Sequence, residues 1–180
     1  MNIKTALERL NYFHGQLLSA SDFTAEQEYF LARSRRHNRY LHGWGVVCGL
    51  KVTAANSSEI TVEPGLAIDC AGNEIQVLSQ SRLKIPMNLD VCFVVLQYVE
   101  TQSSPIPNAL GAATSTAEEL TFMRIKEGFR IDITDVDPTS GHRGKGTGTP
   151  GCGCLHPLCI ARLKRGLHGW KFELRGRRRA

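Results

Sequence analysis

The chain predicts an α+β domain, mainly β, with one long N-terminal amphipathic helix packed on a sheet or sandwich of about eight to ten short strands. Three observations carry this. Helix signals concentrate in one stretch, residues 21–42; short β-rich runs separated by turn residues fill most of the remainder; and no β-α-β alternation occurs, which removes the expectation of a doubly wound sheet or an α/β barrel. A length of 180 residues suits a single domain over 1–180 with a substantial core.

Taken in order, Ile3, Leu7 and Leu10 stand at helical spacing and predict a short opening helix or a docking arm. Residues 12–50 then organise the rest as an aromatic-glycine entry, a helix and a glycine-rich exit. Ser21 or Thr24 is the expected cap, and Thr24 with Gln27 forms a capping box. Asp22, Glu26 and Glu28 at the start, with Arg33, Arg35, Arg36 and Arg39 at the end, match the helix dipole. Phe23, Phe30, His37 and Leu41 share one side and are expected to face the core. Gly43, Gly45 and Gly49 surround Trp44, a spacing that seats a large ring where backbone passes close by.

The strand-rich core spans 46–100. Strands are expected over 46–53 and 59–63 as a hairpin about the turn at 56–58, and over 66–69 and 74–78 about the turn at 71–73. Residues 83–85 add an edge segment, and 91–100 (VCFVVLQYVE) read as a central strand buried on both faces. The segment 101–118 reads as a loop, 120–125 and 128–133 as strands with a bend at Glu127 and Gly128, and 137–151 as a second loop. Residues 152–174 hold a cysteine cluster and a closing hairpin, 158–163 with 170–174. A basic tail, 175–180, ends the sequence.

A composition of 42% hydrophobic and 22% charged residues excludes a disordered chain. Of the +5 net charge, part comes from Arg175, Arg177, Arg178 and Arg179, so the body is nearer neutral. A charge run on a helix is ordinarily a solvated face, which makes nucleic acid an unlikely partner; a zinc-stabilised nucleic-acid-binding module is kept as an alternative. Residues 1–15 carry charge and no long apolar region, and no run is long enough to span a bilayer, which predicts a cytoplasmic protein. Membrane contact is left open. In a reducing compartment the six cysteines serve core packing or metal binding rather than a disulfide framework.

The runs YFHGQLL, DF, EQEYF and RRHNRYLHGWGVVCGLKV, followed by ITVEPGLAIDCAGNEIQV, resemble a family of small proteins associated with phage-tail-like contractile injection systems. The match is dense over 12–78, with a weaker echo in 122–131 and 159–163. It implies a structural part at one end of such a particle, at the baseplate or else as a cap-end adaptor. The implied partners are tube, sheath or baseplate subunits, with multiple copies in a ring. It supplies no catalytic residue.

The residues agree with a non-enzymatic role. No nucleophile elbow or protease Cys-His signature is present. Asp132, Asp135 and Asp137 lack the spacing of a calcium loop, and 141–147 do not fit a phosphate loop. His14, His37 and His42 flank the helix, where capping or packing is the ordinary use.

One constellation carries chemistry. Cys152, Cys154, His156 and Cys159 form a Cys₃His donor set for one structural Zn²⁺, with His142 as a substitute ligand that would relieve the tight Cys-x-Cys spacing. An iron–sulfur cluster ranks second, and a metal-free thiol cluster or a local disulfide stands beside both. Cys48, Cys70 and Cys92 read as small buried hydrophobes.

Overall fold

The computed structural model describes residues 7–107, 120–138, 150–167 and 169–175. One helix and ten strands are present among them, in three antiparallel sheets, so the α+β, mainly β expectation holds. Ile3, His142 and the basic tail beyond Arg175 lie outside the described residues. Leu7 and Leu10 are not helical.

The helix α1 (Ala20–His37) starts before either cap the sequence predicts, Ser21 or Thr24. Ser19 is the N-cap, and with Asp22 it completes a capping box. The Asp22 carboxylate accepts from the Ser19 amide at 2.8 Å and from its hydroxyl at 2.6 Å. Thr24 instead donates its hydroxyl to the Ala20 carbonyl inside the helix. The Ser19 hydroxyl and amide hold the Asp22 pKa below its ordinary value, so the box is formed above the usual carboxylate range and opens as pH falls through the lowered value. From Asn38 the chain widens into a π-helical turn (Asn38–His42) that ends at Gly43. The wider turn brings His37 and His42 together, Nε2 to Nε2 at 3.0 Å, and directs Asn38 into the body.

Strands β1 (Gly45–Gly49), β4 (Gly65–Ile68) and β5 (Glu74–Val77) form one sheet in the order β1-β4-β5. Strands β2 (Val52–Ala54), β3 (Glu59–Val62) and β6 (Ser81–Lys84) form a second, β2-β3-β6. The single strand expected over 46–53 is thus two strands in two sheets. Gly49 and Leu50 both have positive φ there, which turns the chain from one sheet to the next. The third sheet, β10-β9-β7-β8, comprises β7 (Val91–Pro107), β8 (Leu120–Thr134), β9 (Leu158–Gly166) and β10 (Gly169–Leu174).

Side chains from all three sheets meet in one core that includes Trp44, Ile60, Val62, Ile75, Val94, Leu96, Ile160 and Leu163. Trp44 is 4% exposed, as its glycine-rich surroundings predict. Alternate residues of β7 point opposite ways: Cys92, Val94, Leu96 and Tyr98 enter this core, whereas Phe93 and Val95 pack with Cys159 in a smaller cluster on the other side. The reading of 91–100 as a doubly buried strand is correct in that sense.

Two expectations fail here. Residues 101–107 are strand rather than loop, and β8 runs through Glu127 and Gly128 without a bend. β9 pairs with β7 only over residues 91–96, whereas β8 pairs with β7 from Phe93 to Pro107. Beyond Glu100 β7 and β8 therefore continue as a ribbon that pairs with no third strand among the described residues, roughly 20 Å long at strand rise. Pro105 and Pro107 are tolerated because that outer edge of β7 needs no amide donor.

A further failure concerns the helix face. No residue of α1 is buried; Phe23 is 53% exposed and Phe30 57%, and Leu41, on the π turn, is 71% exposed. The periodicity is real but faces away from the body. Replacement of Trp44 by Ala is expected to cost about 3–5 kcal/mol in urea unfolding. Replacement of Phe23 by Ser is expected to stay within about 0.5 kcal/mol of the parent.

Candidate functional site

The chemistry of the molecule gathers around the connection between β4 and β5, residues 69–73. Asp69 is buried, and its carboxylate accepts from the Asn73 amide and from Asn73 Nδ2, each at 2.8 Å. The Asp69 amide donates to the Asn73 carbonyl at 3.0 Å and the Gly72 amide to the Asp69 carbonyl at 3.1 Å. The turn is therefore clasped by side chain and backbone together.

Two segments rest on it. The C-terminal end of the helix lies against Gly72, whose φ is +94° and where a Cβ would overlap the Arg35 carbonyl. Asn38 Nδ2 donates to the Gly72 carbonyl at 3.0 Å and to Glu74 Oε1 at 3.1 Å. On the other side the segment 150–157 lies against Cys70: a Cβ at Gly151 would overlap the Cys70 carbonyl, and the Gly153 amide donates to that carbonyl at 3.0 Å. Arg39 lies over Gly153 and donates to the Gly151 carbonyl at 3.5 Å, which links the two visitors to each other.

A further contact ties helix to sheet. Glu100 accepts from Arg35 at 3.1 Å and from the Tyr98 hydroxyl at 2.8 Å through the same oxygen. Burial, and then the Glu100 carboxylate, push the Tyr98 phenol well above its ordinary pKa. The Arg35–Glu100 pair is partly exposed, and such pairs contribute about 0–1 kcal/mol, so the Gly72 approach and the buried Asn38 amide dominate the joint. Between helix and sheet runs a groove of about 790 Å³, lined by Leu7, Ala32, Arg36, Tyr40, Val99 and Leu155 among others.

The predicted donor set is only half assembled. Cys152 Sγ lies 3.3 Å from His156 Nε2, and Cys70 joins them, with the three donor atoms all within 4.8 Å of one another. These three residues are placed so that they could hold a metal ion. Cys154 is exposed, and it is its amide that contacts Cys152 Sγ, at 3.4 Å. Cys159 is elsewhere: it follows Leu158 in β9, and strand alternation turns it to the opposite face, toward Phe93 and Val95. Cys70, read from sequence as packing only, is the donor that sequence spacing misses, because it lies far upstream and is delivered by the 69–73 turn. Cys48, also read as buried, is exposed; Cys92 is buried as expected.

Burial pushes the thiols of Cys70 and Cys159 each up to about 12 and raises that of Cys92. The arginines considered as a nucleic-acid face are divided, since Arg35 is paired with Glu100 and Arg39 covers Gly153.

No family model and no curated protein matches the chain. Its fold is similar to that of solved structures. A chain in the cryo-electron microscopy structure of the type VI secretion system TssK-TssF-TssG baseplate subcomplex aligns with a TM-score of 0.52 and 12% identity, over 93% of this chain and 60% of that one. A chain of the type VI secretion system baseplate complex gives 0.48 and 13%, over 94% and 58%; the crystal structure of TssK gives 0.49 and 14%, over 93% and 41%. The chain thus spans 60% or less of the length of each of these three chains, and the likeness to the first is one of fold.

Two outcomes test this geometry. Gly72→Ala forces a Cβ into the Arg35 carbonyl at positive φ; hydrogen exchange is expected to quicken over 35–43 while the β7–β8 pairing stays protected. In the folded, reduced protein at neutral pH, Cys48 and Cys154 are expected to alkylate first, with Cys92 and Cys159 reacting only after unfolding, as read by mass spectrometry.

Proposed function

We propose that this protein is a non-enzymatic structural component of a contractile phage-tail-like injection particle, placed at its baseplate and working by docking to neighbouring subunits. The observation that carries the reading is the pairing of a tied-down β body with apolar elements that the body leaves uncovered. Phe23 and Phe30, one heptad apart on α1, are both more than half exposed, and the ribbon presents Met123 and Ile125. An apolar face that costs solubility in isolation is the ordinary mark of a surface covered in an assembly. Covering one such phenylalanine contributes about 1.5–3 kcal/mol of gross association energy, so a few of them suffice to hold a subunit in place.

Two lines support the particle and the end. The residues 12–78 resemble proteins of contractile injection systems, and the fold is similar to that of a chain in a type VI secretion baseplate subcomplex. In this role the chain contacts baseplate, tube or sheath proteins in multiple copies, and the helix acts as a lever anchored at its C-terminal end.

The test is genetic and visual. Deletion of the gene is expected to abolish complete particles or leave them without a formed end in electron micrographs. Phe23→Asp with Phe30→Asp is expected to give a protein that melts like the parent yet fails to enter particles. Normal assembly, attachment and contraction in the deletion strain would overturn the reading, as would full incorporation of the double variant.

A further inference from the structure

The cluster of Cys70, Cys152 and His156 goes beyond the assembly role and stands or falls independently of it. We propose that these three residues bind one zinc ion, which pins the segment 150–157 to the turn 69–73.

The distances suit the ion. Zinc–sulfur and zinc–nitrogen bonds of ordinary length at a tetrahedral angle separate the donors by about 3.5–3.8 Å. Here Cys152 Sγ and His156 Nε2 are 3.3 Å apart and all three donors fall within 4.8 Å, so occupancy requires only small side-chain shifts. Two sulfurs and an imidazole form a borderline-soft set that selects zinc over magnesium or calcium.

The surroundings are prepared as well. His156 Nδ1 lies 3.2 Å from the Pro157 carbonyl, which can only accept, so the ring proton resides on Nδ1 and the Nε2 lone pair is directed at Cys152 Sγ. That carbonyl contact is the outer-shell arrangement that orients ligating histidines. The Cys154 amide aims at Cys152 Sγ from 3.4 Å, an N–H···S contact that favours a sulfur carrying negative charge. The Arg39 guanidinium lies over Gly153, the residue next to Cys152. The ligands come from two segments far apart in sequence but already joined by the Gly153 amide to Cys70 carbonyl bond, so the metal closes a long loop over a contact that exists without it.

The experiment uses the full chain, purified under reducing conditions without a metal-affinity tag. Atomic emission is expected to find one zinc per chain, and cobalt(II) added to the stripped protein is expected to give thiolate charge-transfer and tetrahedral visible bands. Cys70→Ser, Cys152→Ser and His156→Ala are each expected to weaken cobalt binding at least about tenfold, the scale set by losing an outer-shell partner alone. Cys159→Ser leaves it unchanged. Should the ligand variants fail to fold, the parent protein still decides: zinc must slow alkylation of Cys152 and leave that of Cys48 unaffected. Absence of both zinc and cobalt binding in the reduced parent protein overturns the proposal, as does retention of parental affinity by Cys70→Ser or zinc lost on Cys159→Ser alone. Loss of zinc without loss of particle assembly removes nothing from the baseplate role, and the reverse result leaves the zinc site intact.

Discussion

The structure depends on bare backbone at one turn. Between β4 and β5 the chain is held by a buried carboxylate, and its outer surface carries no side chain at Gly72, so a helix end can lie directly on it. The segment bearing Cys152 uses the same device in reverse, with its own Gly151 placed against the Cys70 carbonyl. Steric exclusion decides both contacts: a methyl group at either glycine overlaps a carbonyl, and no rotamer relieves a clash of Cβ with backbone. Asn38 and the Gly153 amide then supply the hydrogen bonds that such close approach makes possible.

From this constraint the shape follows. The helix, held to the turn through its C-terminal end, has no buried residue and leaves Phe23 and Phe30 more than half exposed. Its own stability comes from the Ser19–Asp22 box and from charges matched to its dipole rather than from buried side chains. The β7–β8 ribbon is a second projection, and it exists because β9 stops short of Glu100.

Much of this was legible in the residues, and the misses have physical causes. The helix, the order of the strands, the doubly buried β7 and the seat of Trp44 follow from periodicity, turn residues and glycine spacing. The direction of Phe23 and Phe30 does not, because an apolar stripe has the same period whether it meets its own sheet or a partner. The run TQSSPIP has loop composition, yet pairing with β8 makes it a strand, and only the free outer edge accommodates its prolines. In the cysteine cluster, proximity in sequence suggested Cys159, whereas alternation within β9 turns that thiol away and the 69–73 turn delivers Cys70 in its place. The alternation could have been read from the strand itself; the partnership with Cys70 required the fold.

One clasped turn holds both the helix and the cysteine segment. Asn73→Ala removes the amide that Asp69 Oδ2 accepts from and touches neither visitor's own residues. Hydrogen exchange on this variant should show protection falling together over 35–43 and 150–158, with the β7–β8 core unchanged. Loss confined to one of the two segments, or spread evenly over the whole molecule, would contradict it.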